Sequence, residues 1–269
     1  VALFFSYTNG FHDAANAIAT SVSTRAWTPR AALLMAATMN VIGAMMGTAV
    51  AKTVGKGIIS ISDYAESPLP EMQQKGLVII LAALLGACIW NLITWWFGLP
   101  SSSSHALIGG MVGAGLLSGT MVHWWGIMSH VVIPMFASPI VGFVIGYFVM
   151  KLVLWLLRNA QYHRTMRRFR AAQRFSSAAM ALGHGIQDAQ KTMGIIVMAL
   201  LAGGYGETHN ILDPITGEMN VPLWVKISGA LAISLGTMAG GGRIMRTIGR
   251  KIIDLDPARG FTAEAVSAS

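Results

Sequence analysis

Two aspartates sit among hydrogen-bonding side chains in stretches of the chain that are otherwise apolar. Asn9, Asp13, Asn16 and Thr20 follow one another at intervals of four, three and four residues, so a helix brings all four to one face. His184, Asp188 and Thr192 repeat the design at intervals of four, and Lys191 stands three residues beyond the second aspartate. An ionised aspartate at the centre of a membrane helix costs roughly 2.5 to 3.5 kcal/mol on insertion scales, so such groups face a cavity, a partner or a moving ion. Two buried carboxylates in corresponding places predict a cation site. His12 and His184 are candidates for carrying a proton near neutral pH, and Lys191 for a charge partner. The plainer alternative makes Asp188 and Lys191 a structural ion pair, with the asparagines and histidines hydrogen-bonding neighbouring helices.

A second kind of chemistry is written in Gly98-Leu99-Pro100-Ser101-Ser102-Ser103-Ser104-His105, which leads into a glycine-rich run. Pro100 ends one helix, and the serines leave backbone N–H groups and hydroxyls clustered at the positive end of the next. A tetrahedral oxyanion takes its hydrogen bonds from such a tip without the burial of a full Lys or Arg charge. A serine-rich loop at the membrane surface is the simpler alternative. Both flanks are apolar, however, and the stretch from His105 to Ser118 is short for a span, which favours a broken or re-entrant helix lining a cavity. Ser102 as nucleophile with His105 as base would instead describe an intramembrane enzyme acting on phosphorylated lipid. A passive anion channel is the third reading. Neighbouring Ser and His at one helix start point to different faces, which ranks the enzyme last.

The elements that must position these groups are membrane helices. A soluble domain carries about 25% charged residues. This chain carries 11%, with 54% hydrophobic residues and a mean hydropathy of +0.58. Apolar stretches such as Arg30 to Ala51 and Gly76 to Phe97 are each long enough to cross a core of about 30 Å. The reading is an all-α, polytopic membrane protein with segments at about 1 to 22, 29 to 51, 76 to 97, 103 to 122, 125 to 157, 177 to 203 and 222 to 242. Thr28 before Pro29 is a helix start. Pro134 and Pro139 predict a short entry helix, a break, and a spanning helix from about Pro139 to Leu157.

A net charge of +8 would point to nucleic acid in a soluble protein, but here the basic residues gather in short segments between apolar spans. No nucleic-acid partner is expected. Lys151, Arg158, Arg164, Arg167, Arg168, Arg170 and Arg174 crowd one connection, whereas no Lys or Arg lies between Lys191 and Lys226. The first connection is therefore cytoplasmic and the second outside, with Arg243, Arg246, Arg250 and Lys251 cytoplasmic again. Cys88 is a single cysteine within an apolar run and forms no internal disulfide. Gly10-Phe11-His12-Asp13-Ala14 and Gly185-Ile186-Gln187-Asp188-Ala189 share a pattern across five spans. An odd count reverses the second copy, so residues 1–157 and 177–269 read as inverted repeats joined by the basic connection 158–176. Val1 is not a methionine and the helix opening at Gly260 to Ala265 stops at Ser269, so truncation at both ends is expected.

Three motifs in order carry a family resemblance: Asn9-Gly10-Phe11-His12-Asp13-Ala14-Ala15-Asn16-Ala17, the Gly98 to His105 stretch, and Gly183-His184-Gly185-Ile186-Gln187-Asp188-Ala189-Gln190-Lys191-Thr192-Met193-Gly194. Together they resemble the inorganic phosphate transporter family, often called PiT, and its bacterial branch in particular. The resemblance implies an inverted-repeat transporter of the inner membrane that moves inorganic phosphate with a cation, H⁺ or Na⁺, metal phosphate being another form of the cargo. It implies no enzyme activity and no cofactor; a homodimer stays open. Carried over, Asp13, Asn16, Asp188 and Gln190 serve the cation, and Ser102, Ser103, Ser104 and His105 serve phosphate, with Ser101 beside them. Gln187 departs from the asparagine frequent before the second aspartate. The family's second Pro-Ser/Thr-rich stretch does not occur before Ser269.

Overall fold

The computed structural model describes residues 1–47, 58–59, 69–206, 211, 220–239, 244 and 255–267, and leaves out the side chains of Ala14 and Asn16. The described elements are α1 (Ala2–Ser23), α2 (Pro29–Met45), α3 (Pro70–Phe97), α4 (Ser103–Ser118), a short α5 (Trp124–Ile127), a π turn (Met128–Val132), α6 (Ile133–Leu156), α7 (Tyr162–Ala202), α8 (Leu223–Ala239) and α9 (Pro257–Ser267). Helices are what a bilayer permits, because each satisfies its own backbone hydrogen bonds. The long apolar helices α3 and α5–α6 turn Leu81, Ile89, Trp96, Phe136, Phe143 and Trp155 outward, a face that suits lipid and not water.

Helix ends follow the sequence signals. Thr28 caps α2 by accepting a hydrogen bond from the Ala31 N–H at 3.4 Å, with Pro29 in the first turn. Gly98 closes α3 in the left-handed region at φ 66°, a conformation that costs glycine little, and so turns the chain into Pro100 and the serines. Ser102 then caps α4, accepting from the His105 N–H at 3.3 Å. With 16 residues and a rise of 1.5 Å each, α4 spans about 24 Å, less than a bilayer core. Gly110 of α4 lies against the Ala83 carbonyl of α3, so the two form a close hairpin that holds the serine tip in place.

The two motif helices run in opposite directions. Thr24 near the end of α1 meets Gln173 near the start of α7 at 2.6 Å, while Phe5 near the start of α1 shares a core cluster with Ile195 and Met198 further along α7. Asp13 and His184 meet between these points. The shared Gly-x-x-Asp-Ala pattern thus lies on antiparallel helices, as an inverted repeat requires. Glycine makes the close crossings: a Cβ on Gly10 or Gly236 would lie 2.1 Å from the Ile233 oxygen or 2.0 Å from the Tyr7 oxygen.

Two expectations are corrected. The break placed at Pro139 does not occur; Pro139 lies inside α6, and the irregularity is the π turn just before Pro134. Proline lacks the N–H that would bond four residues back, and the wider turn absorbs that loss upstream while the helix runs on. The basic connection is not a loop from 162 onward but the first part of α7, which is 41 residues long. Nothing between Tyr162 and Ser177 breaks a helix, and a helix of that length, about 60 Å, outruns the bilayer and carries Arg164, Arg167, Arg168 and Arg170 beyond it.

Candidate functional site

The tip of α4 and the two aspartates share one cavity. It measures about 460 Å³, within the ~300–1,000 Å³ typical of small-molecule sites, and is lined by Pro100, Ser101, Ser102 and Ser104 with Asp13, His184 and Asp188. Asp13 of α1 and Asp188 of α7 meet at His184, whose Nε2 lies 3.8 Å from Asp13 Oδ2 and 3.0 Å from Asp188 Oδ2. One ligand atom from each of the three residues falls within 4.8 Å of the others, close enough to hold one cation.

Hydrogen bonds behind His184 fix which nitrogen faces the carboxylates. The Thr237 hydroxyl donates to the Ile233 carbonyl at 2.9 Å, so its lone pair accepts from Asn40 Nδ2 at 2.8 Å. Asn40 Oδ1 is thereby turned to His184 Nδ1 at 3.0 Å, and Nδ1 carries the hydrogen. His184 Nε2 then presents either a lone pair or a second N–H to two carboxylates. A lone pair between two anionic groups is repulsive, so the arrangement calls for a positive charge, a metal cation or a proton, at that point. Replacing Asn40 with Ala should weaken binding of a cation at that point about tenfold, the equivalent of one hydrogen bond to a charged group, with Asn40→Gln recovering less than half of the loss; titration calorimetry with Na⁺ and divalent cations measures it.

The start of α4 forms the other wall of the cavity. Its first N–H groups, at Ser103 and Ser104, have no acceptor within the helix, while Ser102 satisfies that of His105. Ser101 and Ser104 add hydroxyls at the cavity wall, Ser101 tied to Thr94 at 3.1 Å and Ser104 to Lys191 Nζ at 2.6 Å. Lys191 also bonds Asp188 Oδ1 at 2.5 Å, so one ammonium joins the acidic group to the serine tip.

Several residues named from the sequence stand elsewhere. The Ser103 side chain is fully buried and donates to Asn9 Oδ1 at 2.7 Å and Asp13 Oδ2 at 2.5 Å, so it ties α4 to α1 and does not face the cavity. Asn9 is used in the same tie. His105 is exposed and does not line the cavity. His12 bonds Thr94 of α3 at 2.8 Å and lies outside the cavity, one helical step from Asp13. Gln190 is buried near Gly47 at the end of α2, and Thr192 is buried with its hydroxyl unpartnered among the described residues. The side chain of Asn16 lies outside the described residues. Thr20 continues the polar face of α1 but meets Glu264 of α9 at 2.5 Å. Glu264 is buried and also accepts from Gln173 at 3.0 Å and from Ser176.

Asn40, Thr94, Thr237 and Glu264 were missed from the sequence. The first three are single polar residues in apolar runs, a signal shared with ordinary helix contacts; Glu264 is legible only as a carboxylate in an apolar helix start. A second cavity of about 190 Å³, lined by Ala179, Gly183, Gln187 and Ser267, shares Met180, His184 and Asp188 with the first.

Antiparallel motif helices that meet at a serine-rich helix start beside buried carboxylates have the arrangement of a secondary transporter's site. Residues 9–269 match the profile of the phosphate transporter family, and the chain belongs to that family. A probable low-affinity inorganic phosphate transporter of Streptomyces halstedii is 57% identical over 187 residues, 70% of this chain and 84% of that protein. One of Bacillus subtilis is 41% identical over all of this chain and 75% of its own length. A solved structure, the sodium-dependent phosphate transporter, superposes with a TM-score of 0.82 at 25% identity, covering 99% of this chain and 80% of that one. The protein is thus a membrane protein whose family carries phosphate, and the enzyme reading falls away.

Proposed function

We propose that the protein is a symporter of the inner membrane, multi-pass, moving inorganic phosphate together with a small cation. Phosphate binds at the α4 tip through the hydroxyls of Ser101, Ser102 and Ser104 and the first backbone N–H groups. The cation binds between Asp13, His184 and Asp188. One observation carries the reading: both sets of groups line a single cavity. Without the cation, two carboxylates and an anion repel one another; with it, their charges offset, so phosphate binds tightly only after the cation. The basic start of α7 supports a cytoplasmic position for that end. The sodium dependence in the name of the similar solved structure supports Na⁺ as the cation, and a proton on His184 Nε2 is the alternative charge carrier.

The test is phosphate uptake into liposomes holding the purified protein. Inward Na⁺ and H⁺ gradients are imposed one at a time, with no phosphate gradient. A symporter accumulates phosphate at least several-fold above the outside concentration with its own cation alone. Flux that ignores both gradients identifies a channel and removes the symport reading.

A further inference from the structure

We propose that the Lys191 ammonium is a tethered cation that permanently fills the Asp188 half of the site, so that the carrier takes up one mobile cation fewer per phosphate than its two carboxylates would otherwise hold. The proposal rests on the symport reading above and concerns how many ions that symport moves.

The two repeats place Asp13 and Asp188 in matching positions, with Ala following each. Three residues beyond each aspartate, the first repeat has the uncharged Asn16 and the second has Lys191. That single difference sets the chemistry of the second half. Lys191 Nζ stands 2.5 Å from Asp188 Oδ1, while Asp188 Oδ2 is turned to His184 Nε2 at 3.0 Å. Oδ1 of Asp188 is therefore committed to a full positive charge, and only Oδ2, beside His184, is left for a mobile ion. A mobile ion approaching Oδ1 would meet the ammonium at contact distance, and like charges so close in a partly buried site exclude one another. The remaining place for an ion is the one bounded by Asp13, His184 and Asp188 Oδ2.

The ammonium also reaches the anion. It donates to Ser104 Oγ at 2.6 Å, and Ser104 lines the cavity at the α4 tip. A lysine is a compact point charge on a flexible stem, suited to standing where a bound ion would stand. Its side chain is 22% exposed, so it is held within the protein and not lost to bulk water. The ammonium thereby does for phosphate what a second mobile cation would do, at a fixed position and with no dependence on cation concentration.

The experiment is the zero-flux measurement of stoichiometry. Liposomes containing the protein are clamped in voltage, and the phosphate gradient that just balances an imposed cation gradient is determined; the slope of one against the other gives cations per phosphate. Lys191→Asn, which copies Asn16, should raise that number by one and steepen the cation dependence of uptake accordingly. Lys191→Arg, which keeps the charge, should leave the number at the wild-type value. An unchanged number in K191N, or a raised number in K191R, overturns the proposal. Lys191→Gln is measured alongside with thermal melting in detergent. Unfolding of both neutral variants also overturns it, since the ammonium would then be a structural tie. Wild-type flux that ignores every cation gradient is a different result, which removes the symport itself and this inference with it.

Discussion

Cation-driven phosphate uptake is expected to fall about 30-fold when Asp13 becomes Asn, while the melting temperature stays within a few degrees of wild type. A unit charge about 4 Å from a cation, at an effective dielectric of about 20, contributes about 4 kcal/mol. Water in the cavity screens part of that, and half of it still corresponds to a factor of about 30 at 1.4 kcal/mol per tenfold. The fold is spared because the isosteric amide still offers an oxygen to the Ser103 hydroxyl that Asp13 holds at 2.5 Å. Asp188→Asn changes the same charge with a different result. It leaves the Lys191 ammonium beside a neutral amide, and breaking a buried ion pair from one side costs about 3 kcal/mol or more. D188N is expected to lose both uptake and thermal stability. Uptake in liposomes and melting in detergent, run on both variants, separate the two effects. Equal melting temperatures would show that the Asp188–Lys191 pair contributes nothing to folding.

The contrast between the aspartates could be read only in part from the chain. Their spacing with Asn9, Thr20 and Thr192 fixes a polar face on each helix, and the proline before the serines fixes a helix start, because both depend on local geometry alone. Which member of a polar face turns inward depends on the partner helix. Asn9 is used by Ser103 and Thr20 by Glu264, and neither partner is near in sequence. The serine tract shows the same limit: four successive residues cover a full turn, so Ser103 must point away when Ser102 and Ser104 face the cavity. Asn40 and Thr237 are the clearest omissions. Each is one amide or hydroxyl in an apolar helix, and only their contact across α2 and α8 gives the orientation that decides the His184 tautomer. The continuity of α7 through its arginines was hidden for another reason: charge density marks the membrane boundary, not the end of a helix.

A tight constraint beside the site is a glycine with no chemistry of its own. Gly185 lies where α7 crosses α2, and a Cβ there would fall 2.6 Å from both the Cα and the carbonyl oxygen of Asn40. Carbon atoms pack at about 3.5–4.0 Å, so Gly185→Ala must push the two backbones apart. No flexible side chain is available to yield, because the obstructing atoms are backbone on both helices. Overpacking of this kind costs about 1–3 kcal/mol. The displaced residue is Asn40 itself, which holds His184 Nδ1 at 3.0 Å, so a packing change beside the site becomes a change in the site. G185A is expected to lower the melting temperature by several degrees and to cut cation-driven uptake about tenfold or more. Gly183→Ala is the control for the helix. A Cβ at Gly183 meets nothing within 4 Å, and alanine favours a helix over glycine by about 1 kcal/mol, so melting should stay level or rise. If G185A melts like G183A, α2 and α7 do not meet at the distance described, and the orientation of His184 toward the two carboxylates loses its support.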